Sequence, residues 1–338
     1  MDDRMNVLIV VGGSIGERHL RCFGQVGAEH ISLCDSSDAI RQQLAKRYKI
    51  ASAFSAVDDA TRHTWDAVVI CTPAHLHVEH ALALLPTTRA MLIEKPLATT
   101  LDALPDLFEA AKDKPVGVAY VMRGHPAVGC VKKLLSDGRI GALLQVTYTG
   151  GQHFPTYRPA YRDIYYARRE TGGGAVQDAA THMFDLVQYL VGRFNSVYCD
   201  HGHQALEGVD VEDTVHLIAR ANEGRVMVSL ALNQFMAPNE SVLQLNGDRG
   251  SLRLHLHEHR YAILNHGESR WQWSETLVED RDDLFRLQAE TLLAAARGEG
   301  SMRCSLDDAR HTLRINLAAL ESAGQRVVAL DDWQGRCS

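Results

Sequence analysis

Through roughly its first 125 residues the chain alternates short, largely apolar runs with stretches of helical periodicity. The runs are Asn6–Val11, His30–Cys34, Ala67–Cys71, Met91–Glu94 and Val116–Tyr120, and the intervening segments near 16–26, 37–48, 76–85 and 101–111 carry the helical pattern. A run that is apolar at every position suits a strand covered on both faces, and strands that take turns with helices build a parallel, doubly wound sheet. From about residue 142 the pattern changes. Leu143–Tyr148, Thr214–Arg220, Val226–Leu232, Ser241–Asn246 and Ser251–His257 are longer, more alternating and consecutive. They predict an open, mostly antiparallel sheet, with helices over Val176–Val191, 283–297 and 306–322 covering one face. The expected class is therefore α/β with two domains: a dinucleotide-binding unit over 1–124, and an α+β unit for substrate binding and oligomerisation over 125–338.

Composition narrows the setting. Against 35 basic residues stand 42 acidic ones, a net charge of −7, which offers no footprint for nucleic acid. No apolar run approaches the roughly 18 residues a membrane span needs, and Met1-Asp2-Asp3-Arg4 lacks the basic character of a signal peptide. A cytoplasmic protein that engages neither nucleic acid nor membrane is expected. The seven cysteines (Cys22, Cys34, Cys71, Cys130, Cys199, Cys304, Cys337) are odd in number and form no C-x-x-C pair, against both a disulfide framework and a zinc cage.

The first apolar run leads into Val11-Gly12-Gly13-Ser14-Ile15-Gly16, close to the G-x-G-x-x-G turn that brings a pyrophosphate to the amides of a helix N-terminus. Gly13 and Gly16 hold the second and third glycine positions, while Val11 stands at the first. A β-branched residue resists φ > 0, so either Gly12 takes over the turn or the loop follows a different path. Asp35 ends the second run, where its carboxylate accepts from ribose hydroxyls and repels a 2′-phosphate. That selects NAD rather than NADP.

Glu94-Lys95-Pro96 falls at the carboxyl edge of the expected sheet, the ligand side of such folds, which makes Lys95 a candidate proton-transfer group. In the helix Val176–Val191, about 100° per residue puts Val176, Ala180, Met183, Phe184, Val187, Leu190 and Val191 on one stripe and Asp178, His182 and Asp185 on the other. Asp178 and His182 are four apart, so the carboxylate can fix the imidazole tautomer or join it in a binding site. The segment Gly150–Gly174 before it carries Tyr157, Arg158, Tyr161, Arg162 and Tyr165, which suit either a sugar face with an anionic group or a rigid subunit arm. His255, His257 and His259 alternate in an otherwise Leu-Arg-Leu strand and read as a partly buried sheet face; no metal is assigned.

Together these motifs resemble the Gfo/Idh/MocA family of NAD(P)-dependent oxidoreductases, over essentially the whole chain. The resemblance is carried by Gly13-Ser14-Ile15-Gly16-Glu17-Arg18-His19, by Cys71-Thr72-Pro73-Ala74-His75-Leu76-His77 and by Glu94-Lys95-Pro96. Arg123 with Pro126, and Gly172-Gly173-Gly174 followed by Asp178, His182 and Asp185, complete it. It implies a Rossmann domain, a C-terminal sheet that forms a homodimer or homotetramer, and hydride transfer between NAD and a secondary hydroxyl or keto carbon of a sugar, sugar derivative or cyclitol. It implies Lys95, Asp178 and His182 as the catalytic set. Gly12, Gly13, Ser14, Ile15, Gly16, Asp35, Thr72, Pro73, His77, Glu94, Lys95, Pro96 and Arg123 would line the cofactor. The competing reading is a Rossmann-like regulator or scaffold that holds nucleotide or sugar without turnover, motivated by Val11 in place of glycine.

Overall fold

The computed structural model describes residues 5–278, 280, 282–322 and 328–329. Met1-Asp2-Asp3-Arg4 and Cys337, which entered the expectations on a leader and on the cysteines, lie outside the described residues. The chain divides into two compact units, Met1–Gly124 with Asp280–Arg310, and His125–Glu279 with the segment from His311.

In the first unit β1 (Asn6–Val10), β2 (His30–Cys34), β3 (Ala53–Phe54), β4 (Trp65–Ile70), β5 (Thr88–Ile93) and β6 (Val116–Val118) form one sheet in the order β3-β2-β1-β4-β5-β6. Every pairing is parallel. The central strands are apolar beyond their first residues because both faces are covered: Val7, Leu8, Ile9, Val68, Val69 and Ile70 are fully buried. The order reverses direction between β1 and β4, which opens a crevice at the carboxyl ends of those strands. One face is packed by Leu20 and Phe23 of the helix Ser14–Gln25 and by Ala289, Leu292 and Leu293 of the helix Asp282–Ala296. That second helix, expected from sequence to cover the later sheet, belongs to the first unit because its apolar stripe fits beside Ile9, Val69 and Leu92.

The second unit holds a nine-stranded sheet built from β7 (Leu143–Gly151), β8 (Phe194–Gly202), β9 (Thr214–Ala221), β10 (Val226–Asn233), β11 (Glu240–Gly247), β12 (Gly250–His255), β13 (Arg260–Asn265), β14 (Gln272–Trp273) and β15 (Val328–Ala329). Its order is β14-β13-β12-β11-β7-β10-β9-β8-β15, antiparallel except where β7 meets β10. Alternation sends Val146, Tyr148, Val228, Leu230, Leu243, Leu245, Leu252 and Leu254 inward. On the opposite face Ile218 and Met227 are diagonal neighbours and more than half exposed.

The stretch after β7 is not a bare loop. It folds into short helical turns at Phe154–Tyr157, Pro159–Arg162, Tyr165–Ala167 and Arg169–Thr171 around a small core of Phe154, Tyr161, Tyr166, Leu206, Val209 and Val211. Among the described residues no helix is long and apolar enough to cross a membrane.

Candidate functional site

Val11 itself makes the turn after β1, at φ 72°. Gly12 does not take over the left-handed residue; its lack of a side chain leaves room for Leu44, which a Cβ would approach to 2.5 Å. Gly16 has the strictest requirement, since a Cβ there would lie 1.8 Å from the Val11 carbonyl oxygen. The helix Ser14–Gln25 therefore starts hard against β1. Its first-turn amides have no carbonyl one turn back, and Gly13 supplies no side-chain cap, so the turn presents donors to an anion. Asp35 is buried beside it, accepting from Gly12 N through Oδ2 at 2.8 Å and from Ser37 N through Oδ1 at 2.8 Å. Each oxygen keeps a further lone pair for a ribose hydroxyl. Among the described residues the buried Thr72 hydroxyl, just past β4, has no hydrogen-bond partner. An uncapped helix start, an anchored carboxylate and an unsatisfied hydroxyl at the ends of β1, β2 and β4 fit a dinucleotide.

Lys95 is half-buried and follows β5 at the same carboxyl edge. Two buried histidines hold the residues on either side of it, one through a side chain and one through a backbone carbonyl. His19, on the helix that starts at the glycine turn, has Nε2 2.7 Å from Glu94 Oε1, while Glu94 Oε2 accepts from Lys95 N at 3.2 Å. Burial pushes the Glu94 carboxyl up, but the His19 hydrogen bond and the nearby Lys95 charge outweigh it and hold the group below its ordinary range. His77 is 1% exposed, with Nδ1 2.8 Å from the Pro96 carbonyl and Nε2 2.7 Å from the Thr72 carbonyl. Burial lowers its pKa against the raising effect of those two carbonyls. His77 thus ties the segment after β4 to the segment after β5. Arg123 is equally enclosed, donating to Asp308 Oδ2 at 2.8 Å and to the Arg303 carbonyl at 3.2 Å.

In the second unit the expected helix Val176–Val191 is two pieces, a π turn over Val176–Ala180 and an α-helix over Thr181–Val191. The wider turn breaks the simple four-residue register, and the polar stripe is not solvated. Asp178 is 3% exposed and Asp185 fully buried, while His182 is half-buried. Asp178 Oδ2 accepts from Arg158 at 2.5 Å and Oδ1 from the Tyr165 hydroxyl at 2.6 Å; Arg158 also reaches that hydroxyl at 3.3 Å. Arg158 lies over the Phe154 ring. Burial opposes its charge, but the Asp178 carboxylate more than compensates and keeps the guanidinium ionised.

The remaining aromatic and basic residues separate from this group. The Tyr161 hydroxyl and Arg162 Nε both donate to the Glu207 carbonyl, each at 2.8 Å, and the Tyr161 ring is inside the small core. Tyr157 is 54% exposed. Glu212, which sequence reasoning passed over, holds the entry to the π turn: its Oε1 accepts from Val176 N at 3.1 Å, and Oε2 from Arg169 at 2.9 Å. Gly174, at φ 87°, has no room for a Cβ beside that carboxylate. No local signal marks Glu212, since its partners are more than 30 residues away. His19 and Glu94 were each visible within a motif, but their pairing across 75 residues was not.

Comparison with known proteins agrees with this geometry. Residues 5–121 match the model described as "Oxidoreductase family, NAD-binding Rossmann fold", and residues 129–253 match the GFO/IDH/MocA C-terminal domain. A levoglucosan dehydrogenase from Pseudarthrobacter phenanthrenivorans is 28% identical over 286 residues, 73% of each chain. An inositol 2-dehydrogenase from Acidothermus cellulolyticus is 29% identical over 244 residues, 69% of this chain and 67% of that one. In fold, the chain resembles a levoglucosan dehydrogenase solved with NADH, at TM-score 0.84 and 24% identity over 97% of this chain and 99% of the other. With both characteristic domains matched in order, and a nucleotide turn whose geometry suits NAD, the chain belongs to the Gfo/Idh/MocA family of oxidoreductases.

Proposed function

We propose that the chain is an NAD-dependent dehydrogenase acting on a secondary hydroxyl, or the matching ketone, of a sugar or cyclitol. The observation that carries this reading is the placement of Lys95: half-buried at the nucleotide edge of the sheet, with Glu94 and Pro96 on either side held by His19 and His77. A lysine left to solvent needs no such bracing. Relatives named as levoglucosan dehydrogenase, inositol 2-dehydrogenase and 1,5-anhydro-D-fructose reductase support the substrate class.

Bound NAD would supply the hydride acceptor. In the oxidation direction His182 takes the hydroxyl proton, and Lys95 hydrogen-bonds the developing alkoxide and relays the proton. Asp178 joins this set through the neighbouring side chains it holds. With its oxygens engaged by Arg158 and Tyr165, it fixes those two side chains as a charged and hydroxyl-bearing wall for the sugar. Tyr161 and Arg162 hold the segment's own fold, so the substrate contacts narrow to Tyr157, Arg158, Tyr165 and His182. A homo-oligomer joined through the open sheet face, where Ile218 and Met227 are exposed, accompanies this reading. Thermal shift with NAD and NADP, followed by reduced-nicotinamide absorbance against a sugar and cyclitol panel, tests it; no shift with either cofactor would refute it.

A further inference from the structure

The alternating histidines 255, 257 and 259 do not share one strand. β12 ends at His255, Leu256–Glu258 forms a tight helical turn, and His259 takes a left-handed conformation, φ 54°. That turn sends His259 to His125, whose Nε2 is 3.1 Å from His259 Nδ1, and brings Glu258 back beside the other two rings. Donor atoms of His255, His257 and Glu258 lie within 4.8 Å of one another. The two imidazoles stack at 5.3 Å between centroids, and His255 meets the Trp273 ring edge-on at 4.5 Å.

The geometry points to a divalent-metal site formed by His255, His257 and Glu258, for a borderline ion such as Zn²⁺ rather than Mg²⁺. Two imidazoles and one carboxylate are the donor set such ions prefer, and water would complete the shell. Glu258 Oε1 stands 3.8 Å from His257 Nε2. Two donors on one tetrahedral Zn²⁺ at about 2.0–2.1 Å each are separated by roughly 3.3 Å, so a small side-chain rotation closes the pair. His257 can free its Nε2 lone pair without moving. Its Nδ1 lies 3.0 Å from Ser241 N and 3.1 Å from Ser241 O, so the ring is held either as acceptor or as donor, and the donor form is the ligating tautomer. His255 must exchange its 3.1 Å hydrogen bond to Glu258 Oε2 for the ion. Arg260, which donates to the same Oε2 at 2.5 Å, keeps that oxygen and leaves Oε1 to the metal. All three donors are partly exposed, so an ion can enter. The bound ion would clasp the β12–β13 connection beside the His125–His259 pair.

The test is Zn²⁺ binding to the tag-free, chelator-stripped full chain, read by competition with a chromophoric chelator and by melting temperature. One saturable ion per chain is expected, with a melting temperature raised by Zn²⁺ and not by Mg²⁺. Affinity should fall about tenfold or more in His257→Ala and in Glu258→Gln. Cu²⁺ quenching of tryptophan emission should weaken in Trp273→Phe. His257→Gln, which keeps a polar contact to Ser241, replaces the alanine variant if that one fails to fold. A folded wild-type chain with no saturable Zn²⁺ binding, or one whose binding is unchanged by both the His257 and the Glu258 substitutions, would overturn the assignment.

Discussion

His19 Nε2 lies 2.7 Å from Glu94 Oε1, a buried bond between the helix that leaves the nucleotide turn and the strand end that carries Lys95. It couples cofactor cradle and candidate proton donor mechanically. Removing the imidazole by His19→Ala leaves a buried carboxylate without its partner, which costs about 3–5 kcal/mol where a buried pair is broken. Urea denaturation at neutral pH measures it; a loss under 1 kcal/mol would show the pair to be incidental.

The same pair gives a pH signature. The folded-state pKa of Glu94 is below its ordinary 4.5, so its contribution is complete above that value and is lost as pH falls through the folded-state pKa. The stability gap between wild type and Glu94→Gln in urea melts should accordingly shrink as pH falls below about 4.5.

Histidine 125 acts higher on the scale. Burial, aided by the facing His259, brings its pKa from 6.5 down to about 4, so the folded protein keeps this ring neutral. The unfolded chain takes up the proton first, and stability should fall between pH 6.5 and 4, by up to roughly 3 kcal/mol. His125→Asn, which can still cap Ala127 N, should flatten that limb in urea melts taken across the range.

Strain at Val11 can be isolated by comparing two variants. Val11→Gly and Val11→Ala both lose the branched side chain, but only glycine is relaxed at φ 72°. The left-handed region costs alanine about 1–2 kcal/mol, against 0.4–1 kcal/mol of extra unfolded-state freedom for glycine, so Val11→Gly should be the more stable by about 0.5–1 kcal/mol. Thermal melts with the opposite order would mean the turn relaxes when Val11 is removed.

Much of this was legible beforehand, for reasons the elements make clear. The buried runs at Asn6–Val10 and His30–Cys34 announce themselves because a doubly covered parallel strand favours apolar residues on both faces, here Val7–Val10 and Ile31, Leu33 and Cys34. β3, only Ala53–Phe54, is too short to leave a pattern. The helix Asp282–Ala296 was found, but its docking on the first unit depends on Ile9, Val69 and Leu92, far away in sequence. Asp178 and His182 were identified as polar positions on an apolar helix, but neither the π turn that carries Asp178 nor its bonds to Arg158 and Tyr165 could be read there. A five-residue π turn has no composition of its own. Tyr161 illustrates the remaining ambiguity: an aromatic beside arginines reads as a sugar platform, and its ring fills a local core.

Arg158 and Tyr165 should differ in consequence from Arg162. Tyr165→Phe removes one hydrogen bond to a buried carboxylate, costing about 1.5–3 kcal/mol, and should raise KM for the sugar while sparing NAD binding. Arg162→Ala, which removes bonds to Tyr161 and Glu207, should lower stability modestly and leave KM unchanged. Equal effects on KM would return Arg162 to the substrate wall.

The most direct measurement is steady-state turnover of wild type, Lys95→Met and His182→Ala with NAD and the sugar or cyclitol that wild type uses best, with cofactor affinity determined alongside. Positioned acid–base groups contribute about 10²–10⁴-fold, so kcat should fall by that factor in each variant while both still fold and bind NAD. Undiminished kcat in both would contradict the account.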